Sequence, residues 1–121
     1  MAEIVLTEDA FLVSETDKRG VITFANDEFI ETSGYSKEEL LGKPHNLVRH
    51  GDMPKAAFKD LWDTVQSGKV WTGFVKNKAK NGDFYWVFAT VYPMKNGYIS
   101  CRKKPSREEI LQSEALYKTM K

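Results

Sequence analysis

Polar and apolar positions alternate along Trp71-Thr72-Gly73-Phe74-Val75-Lys76-Asn77-Lys78 with the period of an extended strand. Trp71, Gly73, Val75 and Asn77 share one face; Thr72, Phe74, Lys76 and Lys78 share the other, where the lysines mark the solvent side. A large aromatic, a bare backbone and a primary amide make an unusual core face. An interior amide is costly unless its donors and acceptor are paired. That combination suits a pocket wall for a flat, hydrogen-bonding ligand.

The same patterning divides the rest of the chain. Phe11-Leu12-Val13-Ser14 and Val21-Ile22-Thr23-Phe24 flank Asp17-Lys18-Arg19-Gly20 as two strands of a hairpin. Asn26 or Asp27 can cap a short helix ending near Gly34, and Ser36-Lys37-Glu38-Glu39 is a capping box for another, stopped by Gly42 and Pro44. From Pro54 to Gly68, Phe58, Leu61, Trp62 and Val65 form the i, i+3, i+4, i+7 stripe of a core-facing helix. Three strands follow, 70–79, 84–92 and 98–103, with Asn96-Gly97 turning the last pair. A second capping box, Ser106-Arg107-Glu108-Glu109, launches a helix expected to be still running at Lys121. Two strands, a set of helices, three strands and an exit helix describe an α+β domain. Its expected core is a five-stranded antiparallel sheet with helices packed on one face.

A chain of 121 residues suits one domain, and 41% hydrophobic with 29% charged residues suits a globular one. A formal charge of +1 offers no reason to propose nucleic acid as a partner. There is no apolar run long enough to span a membrane, and the N-terminus does not read as a secretion signal. The single cysteine, Cys101, excludes an intrachain disulfide and a multi-cysteine zinc site. A cytoplasmic setting is the simplest expectation. Neither His45 nor His50 has a metal-ligand partner at helical spacing, although ligation of a haem by one of them stays open. No nucleophile–base pair or pair of catalytic carboxylates is evident, so no enzyme activity is expected.

The element order, with Gly20, Asn26, Gly34-Tyr35-Ser36, Gly42 and Asn81-Gly82-Asp83 in place, resembles a PAS domain over residues 11–104. Within that superfamily, the run from Pro44 through Arg49-His50-Gly51-Asp52-Met53-Pro54 to Phe58 is similar to the aerotaxis-receptor branch. So are Trp71 to Asn77 and Gly82 to Val87. The resemblance implies non-covalent FAD binding and redox or oxygen sensing upstream of chemotaxis signalling. It also implies a homodimer, a downstream transducer in the same or another chain, and tethering to the inner membrane through a downstream region or partner. Residues 1–10 are then an N-terminal cap and 105–121 the start of a connector helix. A haem or small-molecule sensor on the same scaffold, or a ligand-free dimerisation module, is the alternative.

Asn77 is the first candidate for the flavin's polar edge; the alternative is an edge-strand amide facing water. Trp71 either walls the cofactor or is simple core, and Gly73 would let the ring approach the backbone. Arg49 suits a pyrophosphate through its planar fork, and His50 a ribose, phosphate or adenine, although bare sequence reads both as solvated loop. Asp52 is a cofactor candidate by resemblance, but its position before Met53-Pro54 favours a cap for the long helix. Asn26 either caps its helix or reaches the ligand. Cys101 is expected to face inward with Ile99. The photoreceptor branch carries its reactive cysteine in the segment that here reads His45-Asn46-Leu47-Val48, so a cysteinyl adduct is not expected.

The turn at Asn81-Gly82 decides the inner face of the fourth strand. A two-residue loop would pair Asn77 with Trp86; a three-residue loop bulged at Gly82 would direct Tyr85, Val87, Ala89 and Val91 inward. The resemblance and the room needed for a tricyclic ring favour the second. An outer face of Phe74, Trp86, Phe88 and Tyr92 follows, to be covered by Ile4-Val5-Leu6, a second subunit or a partner domain.

Overall fold

Turn and cap chemistry begins the fold. The Asp17 carboxylate accepts from the backbone N–H groups of Arg19 and Val21 at 2.8 and 3.0 Å, closing a hairpin of β1 (Leu12–Asp17) and β2 (Ile22–Ala25). The computed structural model describes residues 1–120; Lys121, where the last helix was expected to be still running, lies outside them. Asn26 Oδ1 accepts from the N–H of Phe29 at 3.0 Å, capping α1 (Asp27–Ser33). The reciprocal Ser36–Glu39 capping box opens α2 (Lys37–Leu40), and a 3-10 turn spans His45–Val48.

The helix expected from Pro54 is α3 (Lys55–Gln66), but Asp52 does not cap it. Pro54 occupies the cap position without a side-chain hydrogen bond. The Asp52 carboxylate is drawn instead to Lys76 Nζ at 2.8 Å.

β3 (Trp71–Lys78), β4 (Phe84–Met94) and β5 (Gly97–Lys103) complete an antiparallel sheet of order β2-β1-β5-β4-β3. Ala79 N–H donates to the Asp83 carbonyl at 2.7 Å, and Gly82 sits at φ 94°, a left-handed conformation that suits glycine. The loop is therefore the three-residue, bulged form. Asn77 lies opposite Tyr85, Val75 opposite Val87, Gly73 opposite Ala89 and Trp71 opposite Val91. Tyr85, Val87, Ala89 and Val91 are all buried on the helix side, as the second reading of that turn required.

Two details of β5 differ from expectation. Met94 pairs with Gly97, so Lys95 and Asn96 are the loop residues and Gly97 begins the strand. A side chain at Gly97 would collide with the Thr16 carbonyl, so glycine is required there by close approach of β1. Ser100 lies opposite Val91, and Arg102 opposite Ala89. Directly opposed residues point to one face. Tyr98, Ser100 and Arg102 therefore face inward, and Cys101 and Ile99 outward.

Helix α4 (Arg107–Thr119) carries Ile110, Ser113 and Tyr117 on one side and folds back over the outer sheet face. Its Tyr117 hydroxyl donates to the Phe74 carbonyl at 2.6 Å, and its ring stacks on Trp86 at 6.2 Å. Trp86 is thereby buried although it points away from the main core. The N-terminal segment docks on the start of β4 through Ile4 N–H to Phe84 O and Phe84 N–H to Ala2 O. Leu6 is buried there while Val5 stays exposed.

Gly97→Ala is expected to cost about 1–3 kcal/mol, because the new methyl group forces β1 and β5 apart. Gly51→Ala, which meets nothing within 4 Å, is expected to stay within roughly 0.5 kcal/mol of the parent. Denaturant unfolding of the two variants side by side measures the difference.

Candidate functional site

Between α3, the 3-10 turn and the inner sheet face lies a cavity of about 290 Å³. Its floor is made of the small residues Val75, Ala89 and Val91, and α3 contributes Phe58, Leu61 and Trp62. That is most of the apolar stripe read from the sequence. These three side chains are only partly buried because their stripe faces the cavity as well as the core.

One end of the cavity is polar. Arg102 is 3% exposed, and its Nη1 donates to Ser100 Oγ at 2.9 Å and to His45 Nε2 at 3.2 Å. Its Nη2 donates to Ser14 Oγ at 2.8 Å, while its guanidinium carbon lies 4.5 Å from the Phe29 ring centroid. Its buried Nε has no hydrogen-bond partner. No contact of this guanidinium among the described residues is a carboxylate. Burial lowers its pKa to about 10, so it remains charged at neutral pH. Three arginines, Arg19, Arg49 and Arg102, line the cavity, and no Asp or Glu among the described residues does. The site is built to receive acceptors or negative charge.

His45 is fixed by the same cluster. A guanidinium only donates, so Nε2 accepts and the proton is assigned to Nδ1. Burial first, and the Arg102 charge second, push its pKa down to about 3. The imidazole stacks parallel to Phe29 at 5.8 Å and is neutral at physiological pH.

Asn77 and Arg49 stand together on the β3 side. Their backbones form an antiparallel bridge, so the loop after the 3-10 turn grips the edge strand. The Arg49 guanidinium lies 4.4 Å over the Phe58 ring. Asn77 is 4% exposed and lines the cavity. Beside it, the Tyr85 hydroxyl is buried without a hydrogen-bond partner of ordinary geometry.

The other sequence candidates sit elsewhere. His50 Nδ1 accepts from the Asp52 N–H at 3.0 Å, and its ring meets Phe84 edge-on. Asp52 pairs with Lys76, so both residues turn around the edge of β3, away from the cavity lining. The Asn26 side chain is spent on Phe29, Val13 and the Phe11 carbonyl. The Trp71 indole lies across Gly73, where a Cβ would strike its six-membered ring, and its N–H donates to Asp60 of α3 at 2.9 Å. Gly73 thus makes room for Trp71. Neither lines the cavity. Sequence reasoning missed Arg102, Ser14 and Ser100 as polar groups of the site, and weighed His45 only as a metal or haem ligand. Carrying the inward parity of Ala89 and Val91 across the β4–β5 hairpin would have found Arg102 and Ser100.

A family model described as PAS fold matches residues 22–102. The chain is 51% identical to the aerotaxis receptor of Escherichia coli K12 over 95% of its own length and 24% of the receptor's. It is 32% identical to the nitrogen fixation regulatory protein of Klebsiella pneumoniae over 69% of the chain and 17% of that protein. The chain therefore spans about a quarter or less of these relatives. Among solved structures, a PAS domain from Colwellia psychrerythraea superposes with a TM-score of 0.73 at 21% identity, covering 80% of this chain and 87% of that one. Among the described residues no helix is long and apolar enough to cross a membrane.

The neutral His45 makes stability pH-dependent. Its folded pKa of about 3 lies below the ordinary 6.5, so its contribution is complete above pH 6.5 and is lost as pH falls towards 3. The full slope is about 1.4 kcal/mol per pH unit. His45→Gln keeps an acceptor for Arg102 and removes the titration. Its unfolding free energy is expected to fall less steeply than the parent's between about pH 6.5 and 5 by urea titration.

Proposed function

This chain belongs to the PAS-fold family, and on that premise we propose that it is a flavin-binding sensor domain reporting redox or oxygen state to chemotaxis signalling machinery. The observation that carries the reading is the buried, carboxylate-free Arg102 with an unpartnered Nε, at the end of a cavity floored by Val75, Ala89 and Val91 and also lined by Asn77. A flavin ring has an apolar body and one edge of carbonyl and ring-nitrogen acceptors. The donor set fits that edge. The 51% identity to the aerotaxis receptor across 95% of this chain supports the sensory role.

Arg102 and Asn77 would hold the ring's polar edge, over the floor of Val75, Ala89 and Val91, while the Ser14 hydroxyl, between Arg102 Nη2 at 2.8 Å and His45 Nε2 at 2.9 Å, steadies the guanidinium. A cavity of about 290 Å³ offers room for the ring, and a dinucleotide tail would have to leave at the rim, where Arg49 over Phe58 supplies positive charge and the exposed Arg19 is already paired with Asp17. That rim and the family resemblance support FAD. Bound flavin supplies reversible electron uptake with a proton gained at N5, which turns an acceptor into a donor. An amide facing that position must rotate or lose a hydrogen bond worth roughly 1–3 kcal/mol in a buried site, enough to bias a two-state element about tenfold. His45 and Ser14 keep Arg102 in place, and the apolar helix wall restricts water.

Residues 11–104 are the sensor unit in this proposal and 105–121 the start of the connection to an output region. A homodimer, a chemotaxis transducer as partner, and tethering at the cytoplasmic side of the inner membrane belong to the same reading.

Purified protein, as isolated or after incubation with FAD, is expected to show the paired near-ultraviolet and blue absorption bands of a flavin. A colourless protein that does not quench FAD fluorescence would overturn the proposal. Arg102→Met is expected to weaken flavin binding at least tenfold, about 1.4 kcal/mol, while leaving stability equal or higher because the buried charge is gone. Unchanged affinity in that variant would remove Arg102 from the site.

A further inference from the structure

β2 and β3 are the two outermost strands of the sheet, and the segment 42–50 is bonded to both. Pro44, His45, Asn46 and Arg49 of that segment line the cavity, so it forms a strap across the inner face. Its β2 end is held firmly. Gly42 N–H donates to Ile22 O at 2.9 Å, Ile22 N–H to Lys43 O at 2.8 Å and His45 N–H to Gly20 O at 2.9 Å. The His45 ring adds its place in the Arg102 cluster. The β3 end is held more lightly, by His50 N–H to Lys76 O at 3.2 Å beside the Arg49–Asn77 bridge.

Two further contacts at that end converge on Lys76. Its N–H donates to Met53 Sδ at 3.3 Å, and its Nζ donates to Asp52 Oδ2 at 2.8 Å. The Lys76 ammonium also lies 4.6 Å from the Phe84 ring centroid, which holds the side chain along the edge of the sheet. Between His50 and Asp52, a Cβ on Gly51 would meet nothing within 4 Å, so this turn has room to move. The helical wall of the cavity is fixed by comparison: Asp60 of α3 accepts from the Trp71 indole at 2.9 Å, and Ala57 and Val65 are buried. The seam between residues 49–51 and β3 is therefore the boundary of the cavity that opens most easily.

We infer that Asp52 is a positioning residue of the ligand site: through Lys76 it latches the strap against β3, and release of that latch opens the seam beside Arg49 and Asn77 through which a ligand enters and leaves. The assignment rests on the flavin reading for its ligand and on the edge-strand contacts for its mechanism. Neither Asp52 nor Lys76 lines the cavity, so the pair sets residence time without touching the ligand. Lys76 is 12% exposed and Asp52 60%, so salt reaches the carboxylate and weakens the pair. Glu114 and Lys118 of α4 line the same small cavity of about 160 Å³ and bring one charge of each sign.

Holoprotein loaded with FAD is diluted, and the recovery of flavin fluorescence gives the release rate. Asp52→Asn is expected to release FAD about fivefold faster than the parent at low salt, the upper range for a partly exposed ion pair. The difference is expected to close at about 1 M salt, where the screening length falls to about 3 Å. In a Lys76→Met background the same substitution is expected to change nothing, because the carboxylate acts only through the ammonium. In ligand-free protein, hydrogen exchange of the His50 amide is expected to quicken about fivefold in Asp52→Asn, while the His45 amide at the firm end keeps its parent rate. An unchanged release rate or an unchanged His50 exchange overturns the assignment and leaves flavin binding standing. Equal acceleration with and without Lys76 also overturns it and would place Asp52 on the ligand itself. Failure of the parent protein to bind FAD overturns the functional reading, and the exchange at His50, which needs no ligand, then decides the latch alone.

Discussion

The register between β3 and β4 is the constraint on which the rest depends. Strand side chains alternate with period two, so a slip of one residue would send every inward group of β4 to the other face. The bulge at Gly82 holds the register, with Ala79 donating to Asp83 across a three-residue loop. Three consequences follow. The cavity floor is made of Val75, Ala89 and Val91 and stays shallow. Asn77 is set opposite Tyr85, and Trp86 is sent to the outer face. Through the β4–β5 ladder the same parity brings Ser100 and Arg102 inward beside Ser14 of β1.

The buried guanidinium is the electrostatic centre of that arrangement. Removing a cation from water without a counter-charge is expensive, and neutral partners offset only part of the cost. Here the partners are two serine hydroxyls, an imidazole nitrogen and the Phe29 ring face. The cluster also fixes the protonation of His45, since an imidazolium could not accept from Arg102. A domain selected for stability alone would fill this space with apolar side chains. The retained charge is what makes the cavity a receptor for acceptors.

β3 joins the two sides of the sheet. On its inner side Asn77 faces the cavity, and its edge is gripped by the loop that carries Arg49, through His50 N–H to Lys76 O and the Arg49–Asn77 bridge. On its outer side Lys76 pairs with Asp52, and the Phe74 carbonyl receives the Tyr117 hydroxyl of α4. Trp86, covered by Tyr117, completes a packed outer layer next to the same strand. The cavity and the last helix therefore share one strand as their common support.

Much of the fold was legible in the chain because local chemistry specifies it. The Ser36 and Ser106 capping boxes, the Asp17 turn, the alternation of β3 and the glycine at position 82 each act within a few residues, and the structure follows them. Asn77 was legible from the alternation of β3 and Arg49 only through the resemblance; that the two stand together across the strand edge came from the tertiary pairing. Other roles were decided by partners distant in sequence. Asp52 left the helix cap for Lys76, Gly73 makes space for the Trp71 ring, and α4 reached the outer face through Tyr117. The inward turn of Arg102 ran against hydrophobic preference, which favoured Cys101. Strand parity is inherited from neighbouring strands, and three-dimensional pairing alone brought Arg102, Ser14 and His45 into one cluster. The sequence by itself determined the elements, their order and the wall containing Asn77. The charge and donor pattern facing it arose only when β1 and β5 came together, because a buried cation is tolerated only where several separate segments converge to partner it.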